Sequence, residues 1–116
     1  MLLQSQAMRS LLLCFAALTL FAQADLNTAL APSRQRINDI DDQIVKLLNE
    51  RAAVVHQVGL IKKQYHAPAE QPGRAEQVLR RVSGQARAPL PADAVRHIYQ
   101  TIVDEMTSME ATEMAR

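Results

Sequence analysis

Apolar residues recur at Ile37, Ile40, Ile44, Leu47, Leu48, Val54, Val55, Val58 and Ile61. Spacings of three and four mark one face of an α-helix. Pro32-Ser33 offers a start, with Ser33 as N-cap, and no proline interrupts before Pro68. A helix is therefore expected from about Ser33 to Gln64, with Gly59 its weak point at about 1 kcal/mol relative to alanine. The loop His66–Gln71 leads to a second helix with Pro72 in its first turn, Val78, Leu79 and Val82 on its apolar side, and Gly84 as its stop. After Ala88-Pro-Leu-Pro91, a third helix starts near Pro91 and carries Val95, Ile98, Ile102, Met106 and Met109. No stretch alternates with period two, so no sheet is expected. The pattern predicts an all-α fold of three helices per chain with one long first helix.

At roughly 1.5 Å per residue the first helix is about 46 Å long, whereas a compact domain of this size is about 30 Å across. The apolar stripe runs to the far end and needs a cover. A second copy is the simplest one, because most soluble oligomers are twofold homodimers. The expectation is an intertwined homodimer of six helices.

Upstream of that domain, residues 1–24 read as a secretory signal. Arg9 supplies the positive region, Leu11–Ala22 an apolar run of 12 residues, and Ala22-Gln23-Ala24 a small-residue cleavage site. The competing reading is an uncleaved membrane anchor, but a bilayer span takes about 20 apolar residues. Cleavage near Ala24 implies a periplasmic or secreted protein, with 25–116 as one helical domain and no membrane contact afterwards. The chain's one cysteine, Cys14, lies in the signal. The mature chain then has no disulfide and no thiol nucleophile, which suits an oxidising compartment.

From Asp25 onward, 12 Lys and Arg balance 12 Asp and Glu, and the aromatic residues are Tyr65 and Tyr99. Without a basic field or a stacking platform, nucleic-acid binding is not expected. His56, His66 and His97 lack metal-ligand spacing, so no metal is expected. Met106, Met109 and Met114 read as packing residues.

Cations inside the apolar stripe point to chemistry. Arg51 sits among Leu47, Leu48, Val54, Val55 and Val58. Lys62 follows three turns later and only about 20° round the helix, Arg34 lies at the helix start, and Arg74 lies on the second helix. A buried unpaired cation costs several kcal/mol, about as much as a folded domain can spare. Arg51 could pair with Asp41 or Glu50, or reach water along its stem. Together, the four cations describe a cavity for a small polyanion, with Arg matching carboxylates two-pronged and Lys acting as a point charge.

The run Arg34-x-x-Ile37-x-x-Ile40-Asp41-x-x-Ile44-x-x-Leu47-Leu48-x-Glu50-Arg51-Ala52, then Val58-Gly59-x-x-Lys62, resembles the first helix of the all-helical chorismate mutases. Pro68 and Arg74 match the loop and second-helix start, and Glu110 stands where the family has Gln or Glu. The resemblance covers about Ser33 to Glu110 and implies an isomerase, acting in aromatic amino acid biosynthesis, that converts chorismate to prephenate with no cofactor. Chorismate carries two carboxylates, a hydroxyl and an enolpyruvyl ether, and its Claisen rearrangement needs only the folded conformer and stabilisation of the ether oxygen. The resemblance assigns Arg34, supplied by the partner protomer, and Arg51 to the carboxylates. It makes Lys62 and a protonated Glu110 the donors to the ether oxygen, which favours activity at acidic pH. Arg74 and the Gln71 backbone lie near the hydroxyl end.

One position departs from the pattern. The family carries Glu directly after Arg74 to bind the hydroxyl, and this chain has Ala75, with Glu76 one place on. The hydroxyl is bound differently, or Glu76 substitutes through a local shift, or catalysis is weaker. Two alternatives stay open: an isochorismate pyruvate-lyase, which resembles the same fold and uses a similar set of cations, and a catalytically silent helical dimer acting as a periplasmic binding module. No effector domain is expected within 25–116.

Overall fold

The computed structural model describes residues 2–116. Among them are three helices and no strand: α1 (Leu2–Gln64), α2 (Arg74–Ser83) and α3 (Ala92–Met114). The chain divides into two units, one up to Val45 and one spanning Lys46–Arg116.

In the first unit α1 already runs from Leu2 and passes through Pro32, so Ser33 is a mid-helix residue and not the expected N-cap. The proline withholds one N–H from the ladder. The Leu-, Ala- and Gln-rich run before it has high helix propensity, and this carries the helix back past the expected start. Leu11, Leu12, Leu13, Phe15, Leu18, Leu20 and Phe21 are all exposed. This part of the helix is long and apolar enough to cross a membrane, a test that a signal sequence near an N-terminus also passes.

The second unit is built from the end of α1, α2 and α3. Its core lies where α2 meets α3. Val78, Leu79 and Val82 are buried there, Leu79 to 2% exposure, at spacings of one, three and four that put them on one side of α2. Gly84 ends α2: its N–H donates to the Arg80 carbonyl at 3.2 Å, and the Gln85 N–H donates to that of Val82 at 3.0 Å. The start of α2 is later than the sequence suggests: Gly73, at φ +78°, is the N-cap, and Arg74 the first helical residue. Only glycine takes that backbone region without strain, so Pro72 stays outside the helix. Pro91, extended at φ −76° and ψ 154°, precedes α3.

The end of α1 supplies long side chains to this unit while much of its own apolar stripe stays uncovered. Leu47 is 61% exposed and Val54 62%, and Leu60 and Ile61 are also exposed. Gly59 is buried. A Cβ placed on it would stand 3.1 Å from Glu110 Cγ and 3.7 Å from Met114 Cγ. The missing side chain therefore gives α3 its close approach to α1 at the position where Glu110 enters.

Candidate active site

Within the second unit a cavity of about 720 Å³ opens between the end of α1, the loop before α2, and the facing sides of α2 and α3. Arg51 and Lys62 reach it from α1, Gln71 from the loop, Arg74 from α2 and Glu110 from α3. Five of the six residues singled out from the sequence thus meet in one place. The sixth, Arg34, belongs to the first unit, where it is exposed and donates to Asn27 Oδ1 at 3.1 Å.

Lys62 and Glu110 form the tightest part of the site. Lys62 Nζ stands 2.6 Å from Glu110 Oε1, with the side chains 18% and 7% exposed. The same Nζ donates to the carbonyl of Ala69 at 2.5 Å. Glu110 Oε1 is buried and, despite the short ion-pair distance, has no donor aligned for a hydrogen bond. The two side chains converge from different helices, 48 positions apart in the chain.

Arg51 is half-buried and donates from Nη1 to Met106 Sδ at 2.7 Å, not to Glu50. A thioether is a weak acceptor, so an incoming carboxylate displaces it at little cost. Arg74 donates to Gln77 Oε1 at 2.8 Å on its own helix, and the Gln71 side chain closes the loop by donating to the Pro68 carbonyl at 2.8 Å. Val54, Val55, Val58 and Val78 form the apolar wall.

The structure resolves what Glu76 does. It accepts from Arg96 Nη2 at 2.6 Å and Nη1 at 3.2 Å, with Arg80 Nε at 3.6 Å. The Arg96 hydrogen bonds, helped by the nearby charges and opposed by desolvation, hold its carboxyl below the ordinary value. Glu76 therefore ties α2 to α3 and does not line the cavity, while the methyl of Ala75 does. The local shift that would let Glu76 replace a carboxylate at 75 has not occurred, because a two-pronged guanidinium partner holds it on the other side.

Several lining residues are not evident from periodicity. Arg81 and Tyr99 line the cavity, as do Thr107 and the loop residue Glu70. Arg81 has a usable signal: seven residues after Arg74, it lies only about 20° round the same helix. Among the described residues no group of three or more His, Cys, Asp or Glu side chains is placed to share a metal ion.

Fold and site together define a small all-helical protein whose cavity is lined by Lys62 and three arginines, Arg51 from α1 and Arg74 and Arg81 from α2. Residues 33–111 match the chorismate mutase type II family. The chain belongs to that family. It is 33% identical over 85 residues to a bifunctional chorismate mutase/prephenate dehydratase of Neisseria gonorrhoeae, covering 73% of this chain and 23% of the relative. A protein of the same description from Aquifex aeolicus is 35% identical over 81 residues, covering 66% and 22%. The chain spans less than a quarter of the length of these curated relatives.

Proposed function

We propose that the protein is a chorismate mutase, rearranging chorismate to prephenate. The observation that carries this reading is the meeting of Lys62 Nζ and Glu110 Oε1 at 2.6 Å on the wall of a cavity that Arg51 and Arg74 also line. Arg51 binds one substrate carboxylate. Lys62 donates to the ether oxygen as the C–O bond breaks, and a protonated Glu110 donates beside it. The hydrophobic wall holds the enolpyruvyl group over the ring so that the carbon–carbon bond can form within one molecule. Incubating the purified protein with chorismate, and separately with isochorismate, tests the reading. Prephenate from chorismate supports it. Pyruvate from isochorismate alone makes the chain a lyase, and no turnover of either refutes catalysis by this site.

Two further parts of the proposal concern what surrounds the site. The uncovered stripe of α1, with Ile37, Ile40, Ile44, Leu47, Val54 and Ile61 all exposed, supports a homodimer in which the second copy covers it and brings Arg34 to the other carboxylate. Sedimentation equilibrium giving a monomer mass at assay concentrations would remove that part. The exposed apolar run before Ala22-Gln23-Ala24 supports export and cleavage. N-terminal sequencing of protein recovered outside the cytoplasm should begin at Asp25.

Glu110→Gln keeps a donor at that position, so it should retain turnover of chorismate while Glu110→Ala loses it. Equal turnover by the two variants would show that Glu110 donates no hydrogen bond to the substrate.

Gly59 sets where that carboxyl sits. Gly59→Ala adds a carbon 3.1 Å from Glu110 Cγ, and the side chain has to move away from Lys62. We expect kcat/KM to drop about tenfold, the cost of slightly misplacing one donor. The melting temperature should change little, because the helix-propensity gain of about 1 kcal/mol offsets the crowding. Wild-type kinetics in this variant would mean that Glu110 is positioned by something else.

A further inference from the structure

The mutase reading leaves the substrate's ring hydroxyl without a carboxylate acceptor. Position 75, where the family pattern supplies a carboxylate, is alanine here, and its neighbour Glu76 is held by Arg96. Two carboxylates remain on the cavity wall: Glu70 and Glu110. Glu110 is at ion-pair distance from Lys62. Glu70 has no hydrogen-bond or ion-pair partner among the described residues.

The backbone on both sides of Glu70 is fixed. Lys62 holds the Ala69 carbonyl at 2.5 Å, and the Gln71 side chain donates to the Pro68 carbonyl at 2.8 Å. The Gln71 carbonyl accepts from the Arg74 N–H at 3.2 Å, where α2 begins. A carboxylate with no protein partner, shown to a cation-lined cavity from a loop tied at three points, is a ready acceptor for one ligand hydroxyl. Ala75 lines the same cavity from the first turn of α2, and its methyl offers a ligand hydroxyl no acceptor.

We propose that Glu70 accepts the hydrogen bond of the substrate's ring hydroxyl, doing from the loop what a glutamate at position 75 does from the helix. Glu70 is then the residue that makes the site selective for a hydroxylated ring. The assignment rests on the mutase reading.

The test compares two substrates, chorismate and the analogue that lacks the ring hydroxyl, in the purified wild-type protein, Glu70→Ala, Glu70→Gln and Glu70→Ala/Ala75→Glu. Glu70→Ala should lower kcat/KM for chorismate about 10- to 150-fold, the range for losing one hydrogen bond to a charged group. It should leave turnover of the analogue near wild type. Glu70→Gln keeps an acceptor and should lose less, and the added Ala75→Glu should recover most of the chorismate activity. Wild-type turnover of chorismate by Glu70→Ala overturns the assignment, as does an equal loss with both substrates, which marks a role in holding the loop. A wild-type protein that rearranges no chorismate overturns the mutase reading and this assignment with it, an outcome read before any variant is made.

Discussion

Replacing Arg51 with alanine should cut kcat/KM about 30- to 5,000-fold and leave the helices folded. The loss follows from removing one partner of a desolvated charge pair, typically 2–5 kcal/mol. Arg51 has a weak partner in the ligand-free protein, the Met106 thioether, so the fold gives up little when the guanidinium goes. Removing a half-buried cation that no carboxylate neutralises leaves stability unchanged or raises it. Steady-state kinetics and a thermal melt on the same preparation separate the two roles. A variant that unfolds, with no catalytic loss beyond the unfolded fraction, would make Arg51 a structural residue. Arg51→Lys keeps the charge and loses the two-pronged geometry, so it should recover only part of the activity.

Lys62→Ala is expected to cost 100- to 1,000-fold in kcat, the usual effect of deleting one donor from an oxyanion site (about 2.7–4 kcal/mol). Here stability falls as well. Glu110 is left buried beside a vacated ammonium, and breaking a buried pair from one side costs about 3–5 kcal/mol. The Ala69 carbonyl loses its donor too. Adding Glu110→Gln removes the stranded charge, so the double variant should regain most of the melting temperature while remaining inactive. If the double variant regained activity along with stability, Lys62 would be acting on the fold and not on the ether oxygen.

Three- and four-residue spacing was enough to read three helices, the stop at Gly84, and the placement of Arg51 and Lys62 on one stripe. Glu110 could be reached by resemblance, since its depth depends on how closely α3 approaches α1, and that approach is set by a hydrogen atom at Gly59. Where a local start signal competed with propensity over many residues, the sequence reading went astray. Pro32 looked like a helix start and is spanned by α1. Pro72 looked like a first-turn residue, yet the left-handed Gly73 excludes it from α2. The partner of Glu76 is 20 positions away on another helix, a pairing that no periodicity encodes. Glu70 stayed hidden for a related reason: a loop has no period, and only the ties to Lys62 and Pro68 fix which way it faces.

The Glu76–Arg96 clamp has a consequence for work in acid. Because the Arg96 hydrogen bonds and nearby charges hold the Glu76 carboxyl below its ordinary 4.5, its contribution to stability is present at and above that value. It is lost only as pH falls through the lowered one. Arg96, pushed the other way, stays charged throughout. In mildly acidic solution the strut between α2 and α3 therefore remains ionic, and a loss of activity there is not an opening of that joint.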